Sequence, residues 1–419
     1  MSPWQNNKYL KNILIFLAML GPGIITGSVD NDAGGITTYS VAAATYGYPI
    51  IWTLLPAFIV LLVVQEMNMR MGACTGKGLA DLIRETFGIK VTFWIFLGLL
   101  VADIGNTATE FAGVAGSMDI FGISKYISVP LTAGAVWILV TKGNYKISER
   151  IFLLFSVCLL SYIVSAVAAK PDWHQVAFSF IPSHIQYDKE YLVMVLGIVG
   201  TTIAPWMQFY MQSAVIEKGT TMDDYKLALA DVAIGCVATV AVALFIMVAC
   251  AATLHANHIT INEAKDAALA LKPFAGALAS AVFAFGLFVA SIFSATILPL
   301  ATAFYICEAF GFNAGIDKRV EEAPQFYTLF AAILIIACAI ILFPNAPLIA
   351  ISLWTQDINA MLLPVVLISM QLMVNNPEIM GEHVNNKLQN AIGWSTTIIL
   401  IALTLLLLIL PAIDLFKSH

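Results

Sequence analysis

Asp30 and Asp32 are the residues with most chemistry to offer. Both carboxylates fall inside an otherwise apolar stretch, GPGIITGSVDNDAGGITTYS, from Gly21 to Ser40. A carboxylate at membrane depth is costly and usually marks an ion pathway or pairs with a neighbour. Gly34 and Gly35 follow and lower the cost of unusual backbone angles, so the segment reads as a helix interrupted at its acids. A second interruption, GIVGTTIAPWMQFYMQS from Gly197 to Ser213, contains Pro205, which removes a backbone donor and disfavours helix at Ala204. Unwound backbone at membrane depth is tolerated only where it is buried in protein or lines a cavity. Two such interruptions in corresponding halves point to the central site of a secondary transporter. Freed carbonyl oxygens beside carboxylates suit a hard cation, so the expected cargo is positively charged.

The elements that must position these residues are membrane helices. Of 419 residues, 60% are hydrophobic and only 11% charged, with a mean hydropathy of +0.88; a soluble domain carries about 25% charged residues. About 20 apolar residues span a bilayer. By that measure the sequence predicts eleven spans, centred near Leu17, Val60, Leu100, Ala135, Leu159, Val199, Leu244, Phe288, Leu334, Pro364 and Ile401. No soluble domain fits between them, and no nucleic-acid partner is expected. Lys8 and Lys11 precede the apolar run Ile13 to Leu20, but no small-residue cleavage site follows, so this run reads as a retained first helix and not a signal peptide. The segment from Ile259 to Lys272, with Asn262, Glu263, Lys265 and Asp266, reads as a short interfacial helix. Lys and Arg are concentrated on the side shared with the N-terminus, which predicts an N-terminus that is cytoplasmic and a C-terminus that is external; the expected location is a prokaryotic plasma membrane. The net charge of -6 says little about partners.

Further acids accompany the first break at or near membrane depth: Glu66, Asp103, Glu110, Asp231 and Asp357. None of the Lys and Arg residues lies near a span centre, so no basic partner is expected within the spans. These carboxylates are then protonated, hydrated or cation-bound. Some are expected only to tie helices together; Asp32 carries most functional weight because its break frees backbone carbonyls. The six cysteines show no paired metal spacing and read as small buried hydrophobes. Asp30-Asn31-Asp32 imitates the start of an EF-hand loop, but the twelfth position is Val41 where a Glu is required. Gly23 and Gly27 are spaced for close helix packing.

At these residues the chain resembles the Nramp divalent-metal transporters, over essentially its whole length. The resemblance implies an all-α membrane protein of LeuT type. Residues 1–170 would form a first inverted five-helix repeat, 171–375 a second, and 376–419 an additional eleventh helix, with the first and sixth helices unwound. The family's Asp-Pro-Gly-Asn motif appears as Asp32-Ala33-Gly34-Gly35, and its Met-Pro-His as Ala204-Pro205-Trp206. The implied metal site comprises Asp32, Gly35, the Thr201 carbonyl, Ala204 and Gln356, with Asp30 behind Asp32. Asp103 and Glu110 look like the acids of the family's proton route. Two departures matter. Gly35 replaces an asparagine ligand and Ala204 a methionine, whose thioether would favour transition metals. The site left is roomy and made of oxygen, which fits Mg²⁺ retaining part of its water, and the pattern resembles the Nramp-related magnesium transporters. Met207, three residues on, would restore a sulfur if the unwound turn redirects it, and Asn31 could replace the lost amide. Trp206 stands at the family's histidine, and all six histidines (His174, His184, His255, His258, His383 and His419) lie in loops or at the end, so transport without proton coupling is expected.

The expected partners are thus a divalent ion, Mg²⁺ or Mn²⁺ as substrate and not as cofactor, and the lipid bilayer. The oligomeric state stays open, a monomer included. Two other cargo readings remain: a proton-coupled Mn²⁺/Fe²⁺ carrier of the ordinary Nramp type, and an amino-acid or organic-solute symporter of the same fold, which Asp30 and Asp32 disfavour by repelling a substrate carboxylate. An enzyme is not expected, since no catalytic His/Cys/Asp spacing and no Ser-His pair occurs in the spans.

Overall fold

The computed structural model describes residues 21–142, 151, 158–159, 161–182, 185–186, 188–261, 264–316 and 318–417. The predicted centre near Leu17, the basic residues Lys8, Lys11, Lys146 and Arg150, and Asn262, Glu263, His184 and His419 lie outside them. Described residues form helices joined by short turns, and every predicted centre among them, apart from Leu159 in the turn before a short helix, falls within a helix.

The first break divides α1 (Pro22–Val29) from α2 (Ala33–Tyr46). Asp32 is extended (φ -74°, ψ 178°), and its carboxylate accepts the Gly35 N–H at 2.6 Å. The acid therefore ends one helix and caps the next, satisfying a donor that a helix N-terminus otherwise leaves free. Then come α3 (Leu54–Thr75), α4 (Leu79–Asp119), α5 (Lys125–Lys142) and α6 (Ser161–Ala168). The second break separates α7 (Lys189–Thr202) from α8 (Pro205–Glu217) at Ile203 (φ -133°, ψ 58°) and Ala204 (φ -64°, ψ 142°). The remaining helices are α9 (Tyr225–Thr253), α10 (Ala264–Phe310), α11 (Pro324–Leu342), α12 (Leu348–Val374) and α13 (Lys387–Lys417).

Among the described residues, eight helical stretches are long and apolar enough to cross a membrane. The broken first span and α5, with Pro130 inside it, are not among those eight. The outer faces are apolar: Trp94, Leu131 and Ile335 are exposed, whereas Asp30, Asp103 and Glu110 are buried. That distribution suits lipid outside and a polar pathway inside. Within the stretch Ile259 to Lys272, where a short interfacial helix is expected, a helix starts at Ala264 as the first part of α10, set off from the long span at Gly276 (φ 86°, ψ 166°). An equivalent corner occurs in α4 at Gly88 (φ 77°, ψ 167°); only glycine adopts such angles without strain.

Close packing holds both breaks. A Cβ on Gly235 of α9 would collide with the Gly23 carbonyl, and one on Gly27 would lie 2.7 Å from the Gly235 carbonyl, so the Gly23/Gly27 spacing does mark a tight crossing. On the other side a Cβ on Gly200 of α7 would collide with the Gln356 carbonyl of α12.

Candidate metal centre at the two helix breaks

Pro205 explains why the second break offers an acceptor. In a continuous helix the N–H of residue 205 would bond the carbonyl of residue 201. Proline has no N–H, so the Thr201 carbonyl is released from the ladder. Gln208 instead donates to the Ala204 carbonyl at 3.2 Å. The Thr201 hydroxyl is buried without a partner.

The two breaks meet. A Cβ added to Gly35 would lie 3.1 Å from the Thr201 Oγ1, 3.1 Å from the Asp30 carbonyl and 3.3 Å from Asp32 Oδ1. A Cβ on Gly34 would collide with Gln356 Nε2 and lie 3.2 Å from Asp32 Oδ1. Asp32, Gly35, Thr201 and Gln356 are thus brought together, and the roomy site expected from the missing asparagine is not found, because neighbouring groups close in over both Gly34 and Gly35. Ala204 is buried at the N-cap of α8. Its methyl group brings no ligand to the break. Asp30 is 1% exposed, and neither of its carboxylate oxygens has a hydrogen-bond partner. Glu110 accepts the Ala33 N–H at 3.1 Å, so two carboxylates face the positive end of α2, where a helix dipole favours negative charge. Asp103 sits apart from them, bound by Thr302, Tyr305 and Asn106.

Other carbonyls of the first break are already occupied. Gly27 O accepts from the Thr239 hydroxyl at 2.5 Å and Val29 O from Ser294 at 3.1 Å. Asn31 donates to the Thr239 carbonyl at 3.1 Å, which directs its amide toward α9. Met207 lines a small void with Gly23, Gly27, Leu61, Gln65, Val232 and Cys236, a set containing none of Asp32, Thr201 and Gln356. Trp206 is buried in the apolar core.

One expectation is overturned. Glu66 does have a basic partner within its span: Arg70 Nε lies 2.7 Å from Glu66 Oε1, with both side chains nearly buried. Four residues along a helix place the two on one face, and α3 runs on to Thr75, so Arg70 is not in a loop. Tyr225 and Gln389 complete the carboxylate's bonds at 2.8 and 2.9 Å. Asp231 serves the backbone: it accepts from Gly21, Gly23 and Ile24 at 3.1, 2.7 and 3.3 Å and caps α1. Asp357 is half-buried on α12, near Gly197.

Sequence reasoning passed over every buried amide except Gln356 and Asn31. Asn106 and Asn359 lie three residues after Asp103 and Gln356, a spacing that shares a helix face and could have signalled them. Gln65 and Asn68 both donate to Gln208 at 3.2 and 2.5 Å. Among the described residues no three His, Cys, Asp or Glu side chains converge to hold a metal.

A profile of the Nramp family, "natural resistance-associated macrophage protein-like", matches residues 23–410. The chain belongs to this family. Its members are transporters and not enzymes, as expected of this chain. The chain is 26% identical over 413 residues to the divalent metal cation transporter MntH of Yersinia pestis (strain Pestoides F), covering 94% of this chain and 95% of that one. The crystal structure of the Eremococcus coleocola manganese transporter superposes with a TM-score of 0.77 at 20% identity, over 96% of this chain and 87% of that one. Mhp1, a nucleobase-cation-symport-1 family transporter, gives 0.57 at 12% identity, over 95% and 93%. The Nramp fold is therefore of LeuT type with unwound first and sixth spans, and the chain is an integral membrane protein.

Proposed function

We propose that this Nramp chain carries divalent cations across the membrane through the paired breaks, with Mg²⁺ as the preferred ion and Mn²⁺ also accepted. The observation that carries this reading is the donor set. Asp32 and Gln356 close in on Gly34, the Thr201 hydroxyl and the Asp30 carbonyl on Gly35, Gly35 and Ala204 bring no side-chain ligand, and no thioether belongs to this set. A site that offers oxygen ligands and no sulfur does not reward soft metals and suits Mg²⁺, a hard ion bound through one or two carboxylates. The names of the relatives support divalent-cation transport as the class. Asp30 stands behind Asp32 and adds charge without a required bond. Glu110 and Asp103 line the route from the site, and Trp206 occupies the position where a protonatable histidine would serve coupling, so transport proceeds without stoichiometric proton movement.

The repeat boundaries at 170/171 and 375/376 fit this reading. They fall in turns after α6 and α12, and the matching corners at Gly88 and Gly276 open the third and eighth spans, equivalent positions in two five-helix repeats. A second reading, a proton-coupled manganese carrier, draws support from Asp103 and Glu110, both fully buried. Proteoliposome uptake of Mg²⁺ against Mn²⁺ at two pH values, with an internal pH dye, decides between them. Uptake of both ions without acidification is expected. Mn²⁺ uptake with acidification that is lost in Glu110→Gln, and no Mg²⁺ uptake, would establish the second.

A further inference from the structure

Asp103 does not touch the helix breaks, yet an unbroken hydrogen-bonded chain joins it to Gln356. Its Oδ2 accepts from the Thr302 and Tyr305 hydroxyls, each at 2.8 Å, and its Oδ1 from Asn106 Nδ2 at 2.9 Å. Asn106 Oδ1 is then turned toward α12, where Asn359 Nδ2 donates to it at 2.9 Å; Asn106 Nδ2 reaches back to Asn359 Oδ1 at 3.3 Å. Asn359 Nδ2 also donates to Gln356 Oε1 at 3.1 Å. The amide nitrogen of Gln356 is left over. It is buried, has no partner, and occupies the space above Gly34 beside Asp32. All six side chains are at most 2% exposed.

The chain has a direction. A carboxylate accepts only, whereas a carboxamide has one accepting and one donating end. Tyr305 and Asn106 donate to Asp103, while the single Thr302 hydrogen is shared between Asp103 Oδ2 and the Leu298 carbonyl at 2.9 Å; against an ionised Asp103, Asn106 presents its nitrogen there and its oxygen to Asn359. Asn359 must then use its nitrogen on both neighbours, and Gln356 must give up its oxygen. The end of Gln356 that meets the site is a donor. A donor is a poor neighbour for a cation, and for a first-shell water whose hydrogens point outward. To ligate an ion through Oε1, Gln356 has to turn and break its bond with Asn359.

We propose that Asp103, Asn106 and Asn359 are positioning residues that set ion selectivity by holding the donor end of Gln356 toward the transported cation. The proposal rests on the divalent-cation reading of the site. The restraint disfavours ions that would exchange a water for the Gln356 oxygen, and Mn²⁺ sheds water more readily than Mg²⁺. Freeing the amide therefore favours Mn²⁺. Because the effect passes through Gln356, it must vanish when Gln356 is absent.

The test is a double-mutant cycle on full-length protein. Asn359→Leu and Asp103→Asn are each made in the wild-type and Gln356→Ala backgrounds. Mn²⁺ and Mg²⁺ uptake is measured in proteoliposomes, and Mn²⁺ binding by calorimetry in detergent. Each single variant is expected to lower the KM for Mn²⁺ about five-fold, with the Mg²⁺ KM changed less than two-fold and the Mn²⁺ affinity moving in parallel; such a shift corresponds to roughly 1 kcal/mol. In the Gln356→Ala background neither substitution should move either KM. A purely structural role lowers kcat or yield and leaves KM unchanged, which overturns the proposal, as does an equal KM shift in both backgrounds. If Asp103→Asn does not fold, Asn106→Ser carries the same test. A wild-type protein that binds neither ion overturns the cation reading itself, whereas normal wild-type binding with unmoved variants overturns only the positioning role.

Discussion

Glu66 and Asp30 are both carboxylates on helices of the same bundle, both at or near complete burial, and their surroundings are opposite. Every oxygen of Glu66 is engaged, by Arg70, Tyr225 and Gln389, while Asp30 has a bond to neither oxygen. Asp32 and Glu110 lie between these extremes, each taking one backbone N–H at the start of α2. The Glu66 region spends its charge on holding α3, α9 and α13 together. At the breaks the charge is left uncompensated by protein, which is the condition for attracting a mobile cation. Burial and residue type do not separate a structural acid from a functional one; the account of its partners does.

The strongest way to break this comparison is Asp32→Asn. The amide oxygen can still accept the Gly35 N–H, so the cap and the fold should survive with little change in Tm. The site loses its nearest formal charge. Divalent-ion uptake is expected to fall at least about 100-fold, equivalent to roughly 2.7 kcal/mol, measured as initial rates in proteoliposomes. Asp32→Ala should match it in transport but melt lower, because removing an N-cap costs about 1 kcal/mol. Near-normal uptake in either variant would remove Asp32 from the ion's path.

The opposite pattern is expected at Glu66. Arg70→Leu leaves a buried carboxylate unpaired, and breaking such a pair costs roughly 3–5 kcal/mol. Arg70 also binds the His383 carbonyl and the Asn385 side chain, so the link from α3 to the turn before α13 loosens as well. The Tm should drop sharply, and Glu66→Gln in the same chain should restore part of it. In whatever protein remains folded, the KM for Mg²⁺ should stay as in wild type. A changed KM would draw Glu66 into the ion pathway.

Asp231 is next in magnitude. Its two oxygens take three N–H groups at the start of α1, so Asp231→Asn turns one donor against a helix end that already supplies donors. A loss of about 1–2 kcal/mol is expected, since bonds to a charged acceptor are worth roughly 1.5–3 kcal/mol. Guanidinium or thermal melts measure it. An unchanged melt would mean that α1 does not need this cap.

How much of this was legible beforehand depended on whether the cause was local. The breaks were, because Gly34, Gly35 and Pro205 act on their own backbone. So was Asp32 as the acid inside a break; the Thr201 carbonyl came only with the resemblance, and Pro205 four residues on supplies a physical reason for it. The Glu66–Arg70 pair is also local, four residues apart, and distance from the span centre was the wrong criterion for it, because α3 carries both residues well past that centre. The caps of Asp231 and Glu110 were not legible: their donors lie more than 70 residues away. Nor was the bond of Asn31 to α9, or the void beside Gly27 that Met207 lines. The amide chain from Asp103 to Gln356 was half visible, as two i,i+3 pairs whose meeting only the fold reveals.

The smallest effect, and the finest test of the comparison, belongs to Asp30. Asp30→Asn breaks no hydrogen bond, because neither oxygen has a partner, and it removes a buried like charge close to Asp32. The Tm should therefore stay level or rise by a degree or two, which no other acid-to-amide change in this bundle is expected to do. Transport should fall, but only a few-fold, because Asp30 stands behind Asp32 and acts on the ion through its charge alone, an attraction that water and counter-ions reduce. Two outcomes would redraw the picture. A loss as deep as that of Asp32→Asn would place both carboxylates in contact with the ion. A lowered Tm would mean that Asp30 supports the bend between α1 and α2, joining it to Glu66 and Asp231 among the structural acids.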